Sequence, residues 1–380
     1  MKRLYVSLWL AAWFLGANAN AQNRDIYVSR AGHWFGPGSM DRPLSSIQKA
    51  VDRARAGDVV HVMAGQYPGF EVWQSGTSQF PITIKAEGNV RLSNPAGYGI
   101  YIHNASHLVI DGFTIDHTGL KGIAARDATP DEPMRNIVIR NNTIVETQEE
   151  GLYLSEVSES LIENNTIRDV GLARIETTGH GIYLANAGSK NTVIRRNTIE
   201  GPHNVWGQAI HLNGDESVGG DGLIARVTIE SNRISGFNNG LSLDGVQDTD
   251  IRNNVIIDTH HHGIRGFCID GAAGPANLRI VNNTIRAPHG NAIKLTQEAA
   301  TSIIFNNILV GGEGATSLER TDKLAANLTQ FAVSTDFKPD AVAQKIGLAE
   351  FASVIAPARD FTDAVRRPPF DVGALARDEQ

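Results

Sequence analysis

One short phrase recurs through the middle of this chain and limits what it can fold into. It reads IRNNTI ending at Ile144, IENNTI at Ile167, IRRNTI at Ile199, IESNRI at Ile234, IRNNVI at Ile256, IVNNTI at Ile285 and IFNNIL at Leu309. VIDGFTI, ending at Ile115, is a degenerate first copy. The asparagine sits at Asn142, Asn165, Asn197, Asn232, Asn254, Asn283 and Asn307, with gaps of 23, 32, 35, 22, 29 and 24 residues. A floor near 22 with additions of up to a dozen describes a fixed unit carrying variable loops. Each copy alternates apolar and polar residues, with β-branched side chains at the apolar positions, so it reads as a short strand.

A second phrase interleaves with the first: GIYIHN from Gly99, GLYLSE from Gly151, GIYLAN from Gly181, AIHLNG from Ala209, GLSLDG from Gly240 and AIKLTQ from Ala292. Ile or Leu points one way and a changing residue the other. No helical segment of ten or more residues separates the strands, which argues against a doubly wound sheet. The expected fold is all-β: a single-stranded right-handed parallel β-helix, or β-solenoid, whose coils stack as parallel sheets. The recurring asparagine is expected to form an amide ladder from coil to coil.

The ends differ from the array. Lys2 and Arg3 precede the apolar run LYVSLWLAAWFLGA, and Ala19-Asn20-Ala21 follows as a small-x-small cleavage site, so residues 1–21 read as a secretory signal peptide cleaved after Ala21. The run falls short of the ~20 residues that span a bilayer, and a soluble periplasmic or secreted protein is expected. Residues 22–312 form the expected β-helix. Within it PLSSIQKAVDRARAG, about residues 44–56, makes an amphipathic N-terminal capping helix that covers the first coil. Residues 313–380 are expected to pack on the coils as a C-terminal tail. The net charge is −7 and no basic tail exists, which excludes a nucleic-acid partner. Cys268 is the only cysteine, which rules out an internal disulfide and a zinc-thiolate cluster. A monomer without a membrane span is expected.

PLSSIQKAVDRARAGDVVHVMAGQY, SGTSQFPITIKA, the N-x-I coils and the tail motif RRPPFDVGA together resemble right-handed parallel β-helix proteins. They are most similar to the group with chondroitinase B-like and alginate lyase-like polysaccharide lyases, and the resemblance covers about residues 24–375. It implies an acidic polysaccharide, often a uronic-acid polymer, lying along the outer face of one sheet.

In the second phrase the residue between the two apolar ones faces outward. The rungs read Tyr101, Ala124, Tyr153, Tyr183, His211, Ser242, then Arg265 or Cys268, then Lys294. A second outward column reads His103, Arg126, Ser155, Ala185, Asn213, Asp244, with Asp270 next if the Cys268 register holds. β-Elimination from a uronate begins with loss of the proton beside the carboxylate, whose charge must first be neutralised. A base then takes the proton and an acid protonates the departing oxygen. His211 or His180 is the expected base and Tyr183 the acid, with Lys294 as an alternative base. Tyr153, Asn213, Arg265, Asp244 and Arg126 are expected to bind substrate. Calcium is a candidate cofactor, through Asp244 with Asp270 or through Glu150, although no EF-hand loop occurs. No metal is assigned to His260-His261-His262, read as a loop at the groove margin. The alternatives are a uronate C5-epimerase, a polygalacturonase-like hydrolase using Asp244 and Asp270, or a non-catalytic exopolysaccharide-binding or assembly protein. Nucleophile-elbow, P-loop and dinucleotide signatures are absent.

Overall fold

The computed structural model describes residues 23–173, 179–201, 207–319, 323–325, 327–329, 359–360 and 362–363. The expected signal peptide at residues 1–21, the tail motif RRPPFDVGA and most of the expected C-terminal tail lie outside the described residues. Among the described residues the chain is a right-handed parallel β-helix with one α-helix. Its strands stack in parallel into one sheet of 21 strands, one of 10 strands and two pairs. The larger sheet holds two stacked ladders, joined where the long strands Val59–Pro68 and Ile82–Ser93 bend from one to the other.

Register follows from the repeated phrase. Its first isoleucine stacks as Ile110, Ile139, Ile162, Ile194, Ile229, Ile251, Ile280 and Ile304, and all eight are fully buried. Its last apolar residue stacks as Ile115, Ile144, Ile167, Ile199, Ile234, Ile256, Ile285 and Leu309. Burial of each such side chain stabilises the coil by roughly 1.5–3 kcal/mol. A sharp turn joins the two strands of each phrase. The residue before the ladder asparagine takes the left-handed conformation there, at Asn141, Asn164, Arg196, Ser231, Asn253, Asn282 and Asn306. Asparagine suits this position because its short polar side chain tolerates positive φ.

The expected amide ladder is present, and its members from Asn142 to Asn307 are buried. Asn142 Nδ2 donates to Asn165 Oδ1 at 3.1 Å, and the same bond at 3.0 Å links Asn165 to Asn197, Asn197 to Asn232 and Asn232 to Asn254. It continues through Asn283 and Asn307 to an eighth member, Asn327. Each Oδ1 also accepts the backbone N–H of the preceding asparagine, and each Nδ2 also donates to a carbonyl of the preceding coil, as from Asn197 to Ile162. At the degenerate first copy the Phe113 N–H takes the place of an asparagine and donates to Asn142 Oδ1.

The first coil is covered by the helix Ile47–Arg53, whose Ile47, Ala50 and Val51 are buried and whose N-cap Ser46 accepts from the Lys49 N–H. The helix is shorter than the expected 44–56 because Leu44 is drawn into β-bridges with Val28 and His33. From the tail, Arg359 accepts a hydrogen bond from Asn253 through its carbonyl, and Asp363 pairs with Arg196. Among the described residues no helix is long and apolar enough to cross a membrane.

The ladder carries a stability prediction. Asn197→Ala strips partners from buried amide groups of Asn165 and Asn232, and costs about 3 kcal/mol. Glu200→Ala, at an exposed position on the same coil, changes stability by no more than about 0.5 kcal/mol. Denaturant titration of the two variants checks this, and equal midpoints would contradict a stabilising ladder.

Candidate active site

The 10-stranded sheet presents the outward rungs in register: Glu71, Tyr101, Ala124, Tyr153, Tyr183, His211, Ser242, Arg265, Lys294 and Ser317. Arg265 holds the rung that the sequence left open between Arg265 and Cys268. The strand Ile264–Phe267 sets Ile264 in line with Leu241 and Ile293, so the core takes the apolar side chain. Asp270 is therefore not the rung beyond Asp244; that place belongs to Phe267, and Asp270 sits in the following turn at φ 53.

The second outward column corrects the expectation for two binding residues. His103 and Arg126 stay partly open, but Ser155, Ala185, Asn213 and Asp244 are buried. The turns after these strands fold over them. Gly220 lies so close to Pro130 and Ala187 that a Cβ would meet both at 2.8 Å, and Gly222 covers Gly245 in the same way. Asn213 and Asp244 thus lie beneath the groove wall rather than on its floor.

On the floor, four rings pack in one cluster. The Tyr183 and His211 rings stack at 4.7 Å and 11°, and Tyr153 stands edge-on to Tyr183 at 5.2 Å. His180 stands edge-on to both Tyr183 and His211. Hydrogen bonds fix the ring protons. The Gln208 N–H donates to His180 Nδ1 at 3.1 Å, so the His180 proton lies on Nε2. That nitrogen is 3.3 Å from His211 Nδ1 and donates to it. His211 must then carry its own proton on Nε2, an atom closed to solvent and without a partner. Burial, with the Arg265 charge adding to it, pushes the His211 imidazolium down to about 4, so the ring is neutral at ordinary pH. In this arrangement His211 is a hydrogen-bond donor, and a lone pair for proton abstraction is offered by neither histidine.

Tyr183 keeps its proton. Burial raises the phenol well above its ordinary range, and Asn213 Nδ2 donates to its oxygen at 3.2 Å, leaving the O–H free to donate outward. The same Nδ2 reaches Asp270 Oδ2 at 3.2 Å, so Asn213 ties the phenol to an exposed carboxylate. Cations flank the ring cluster. Lys121 Nζ and the Arg126 guanidinium lie 5.2 and 5.3 Å from the Tyr153 ring centre, and Arg265 and Lys294 follow two and three rungs beyond His211. Arg265 lies 4.0 Å over the Phe267 ring, and burial lowers its guanidinium while Asp244 opposes that shift.

Asp244 is fully buried. Its Oδ1 accepts the Ile269 N–H at 2.8 Å, while Oδ2 has no partner. Burial, with Asp270 and Asp215 adding repulsion, pushes this carboxyl up to about 7. Asn213 Oδ1 is likewise buried without a partner. Two orphaned oxygens on adjacent rungs, with further carboxylates nearby, form an all-oxygen donor set that suits a hard cation such as calcium. Glu150, the other calcium candidate, is instead paired with Lys121 at 3.1 Å. His261, His262 and Glu313 also cluster, but His262 Nδ1 accepts the Asn291 N–H at 3.0 Å and so has no lone pair to spare.

The sequence reading missed a second polar ladder. The residue before each groove strand's leading Gly or Ala reads Lys121, Glu150, His180, Gln208, Asn239, His262 and Asn291. Asn239 Nδ2 donates to Gln208 Oε1, the His262 N–H to Asn239 Oδ1, and the Asn291 N–H to His262 Nδ1. The signal was visible as a polar residue at one fixed offset in each coil from Gly122 to Ala292. His180 belongs to this ladder, which is why its Nδ1 is committed to the backbone.

Asp244 gives a pH test. Its folded carboxyl titrates near 7 against an ordinary value of 3.8. Between those values the unfolded chain has lost the proton that the native state keeps. Stability therefore falls as pH rises across that interval, and the penalty is complete above 7. In chelator-treated protein, Asp244→Asn should raise stability by about 2–4 kcal/mol at pH 8 and leave it nearly unchanged at pH 4. Thermal unfolding at the two pH values checks the sign.

Comparison with known proteins agrees with this architecture. The chain is 27% identical over 357 residues to pectate lyase PEL9 of Emericella nidulans, covering 82% of this chain and 84% of that protein. Among solved structures, pectate lyase Pel9A superposes with a TM-score of 0.60 at 13% identity, covering 93% of this chain and 90% of that one. An alginate lyase from Paenibacillus sp. strain FPU-7 gives 0.54 at 20% identity, with 75% and 95% covered. At these identities the structural likenesses speak to the fold. Residues 68–220 and 210–309 match the family described as the right handed beta helix region, and the chain belongs to that family.

Proposed function

We propose that this groove binds a uronic-acid-containing polysaccharide and cleaves it by β-elimination. The observation that carries the reading is the packed Tyr153–Tyr183–His211 row, neutral at its centre and flanked by cations on both sides. The similarity to a pectate lyase supports the substrate class. Adjacent rungs lie ~4.8 Å apart, close to one sugar unit, so a chain along the axis meets about one rung per sugar.

The roles follow from where the protons sit. The Arg265 guanidinium faces the uronate carboxylate and offsets its charge, which acidifies the C5 proton. His211, whose Nε2–H is closed to solvent, stacks on Tyr183 and holds that ring in place. Asp270, exposed and joined to Tyr183 through Asn213, takes that proton. Tyr183 then gives its phenol proton to the departing glycosidic oxygen, and a C4=C5 double bond remains. His180 holds the His211 tautomer. Lys294 lies four rungs from Tyr183, ~19 Å along the axis; at that distance it holds a neighbouring carboxylate and does not act as base. Tyr153 and Arg126 bind the sugars on the other side. Calcium held by Asn213 and Asp244 would supply further positive charge toward the carboxylate. Secretion or export to a periplasm, expected from residues 1–21, would bring such a chain to its substrate.

One observation favours a second reading. Asp244, whose carboxyl is pushed up by burial and by the nearby Asp270, would with the exposed Asp270 be the acid and carboxylate pair of a glycoside hydrolase once the turn over Asp244 opens. Product chemistry separates the two. Incubation with pectate, alginate and chondroitin should yield an unsaturated product that absorbs in the ultraviolet, and Tyr183→Phe should slow its release by about 10²-fold or more. New reducing ends without that absorbance would replace elimination with hydrolysis. Separately, millimolar calcium should raise the thermal midpoint of the native chain and leave Asp244→Asn unmoved. A shift in both, or in neither, would remove the cation from Asn213 and Asp244.

A further inference from the structure

The N-terminal end of the groove carries a second set of rings that the elimination site does not use. Trp73 lies flat on His103, with ring centres 3.6 Å apart and planes within 6°. It remains 57% exposed, so the face away from His103 is open to solvent. The support beneath it is braced on every side. His103 Nδ1 meets Asp127 at 2.9 Å and its Nε2 meets Glu71 at 3.3 Å. The Trp73 indole N–H donates to Glu71 Oε2 at 3.3 Å, and the Tyr101 hydroxyl donates to both Asp127 oxygens. Burial and the Asp127 charge push the Tyr101 phenol up to about 12. A large exposed ring held rigid from below is an unusual use of a surface tryptophan, because nothing in the core needs it there.

We propose that Trp73 is a stacking platform for a neutral pyranose of the substrate chain, about four sugars from the one that reacts. This rests on the groove reading above and deepens it by naming a substrate feature. Four rungs separate Glu71 from Tyr183 through Tyr101, Ala124 and Tyr153, or ~19 Å along the axis. The open indole face matches the C–H face of a pyranose. The flanking Glu71 and Asp127 carboxylates, each about half exposed, accept hydroxyl hydrogens and repel a uronate carboxylate. This contrasts with the Arg265 and Lys294 end, where cations select acidic sugars. The groove therefore reads a mixed polymer, acidic at the reacting centre and neutral at the Trp73 end.

Fluorescence titration of the full chain tests this with two probes of equal length, a neutral β-linked hexasaccharide and a hexagalacturonate. The neutral probe should quench tryptophan emission and bind more tightly than the acidic one at this end. Trp73→Ala should abolish the quench and weaken neutral binding about tenfold or more. Trp73→Phe, which keeps a smaller ring, should retain part of the affinity. Trp73 is exposed, so both variants should keep the native circular dichroism spectrum. Unchanged neutral binding in Trp73→Ala overturns the platform, as does a loss confined to hexagalacturonate. Because the titration reads binding alone, its failure alongside intact elimination removes this inference and leaves the lyase reading standing.

Discussion

The buried amide ladder is the constraint on which the rest depends. A carboxamide brings two donors and an acceptor into the core, and leaving any of them unpaired costs about 1–3 kcal/mol. Pairing is complete only when the next coil places its own asparagine at the same height. The ladder therefore penalises any slip of register, since a one-residue shift would also turn each coil's isoleucines toward solvent. Outside, an alternating row adds a weaker check: Arg140 pairs with Asp111, Arg195 with Glu163 and Arg252 with Glu230. Exposed pairs of this kind contribute little each, but in a wrong register they would set like charges side by side.

Fixing register on one side fixes it on all three. The coil is a closed turn, so the asparagines that align Ile139 with Ile162 also align Tyr153 with Tyr183 and Tyr183 with His211. The second polar ladder brings the same device to the edge of the groove. There His180 accepts a backbone N–H, as Asn239 and His262 do, and its other nitrogen sets the proton of His211. Scaffold and site thus share an atom. The tautomer of His211 follows from a hydrogen bond that also helps to hold two coils together.

The periodic part of this design was legible in the sequence. N-x-I spacing gave the coils, and alternation in the second phrase identified Tyr153, Tyr183, His211 and Lys294 as outward. What alternation cannot report is the path of the loops. Asn213 and Asp244 stand at outward positions, yet both are buried, with the turn at Ile269 bonded to Asp244, and binding candidates become buried groups with orphaned oxygens. The coil around Arg265 was ambiguous because GIRGF and GFCIDG both alternate, and only packing of Ile264 between Leu241 and Ile293 separates them. Tautomers were out of reach for a further reason. A histidine's proton is set by partners 28 and 31 residues away in sequence, at distances that only the stacking supplies.

Charge is distributed along the groove in a way that single residues do not convey. At the Trp73 end, carboxylates surround the rings; at the Arg265 and Lys294 end, cations stand on successive rungs; between them Tyr183 and His211 are held neutral by burial. A neutral centre costs less to cover with substrate than a charged one, because no ion must shed its water before contact. Yet it still offers the Tyr183 O–H, a donor whose bond strengthens as negative charge develops on a bound ligand. The flanking charges then choose the ligand's orientation, since reversing an asymmetric chain would bring acidic sugars against Glu71 and Asp127. Directionality in this groove is thus an electrostatic property of the whole sheet, and it exists because coils separated by dozens of residues are held in step by one column of amides.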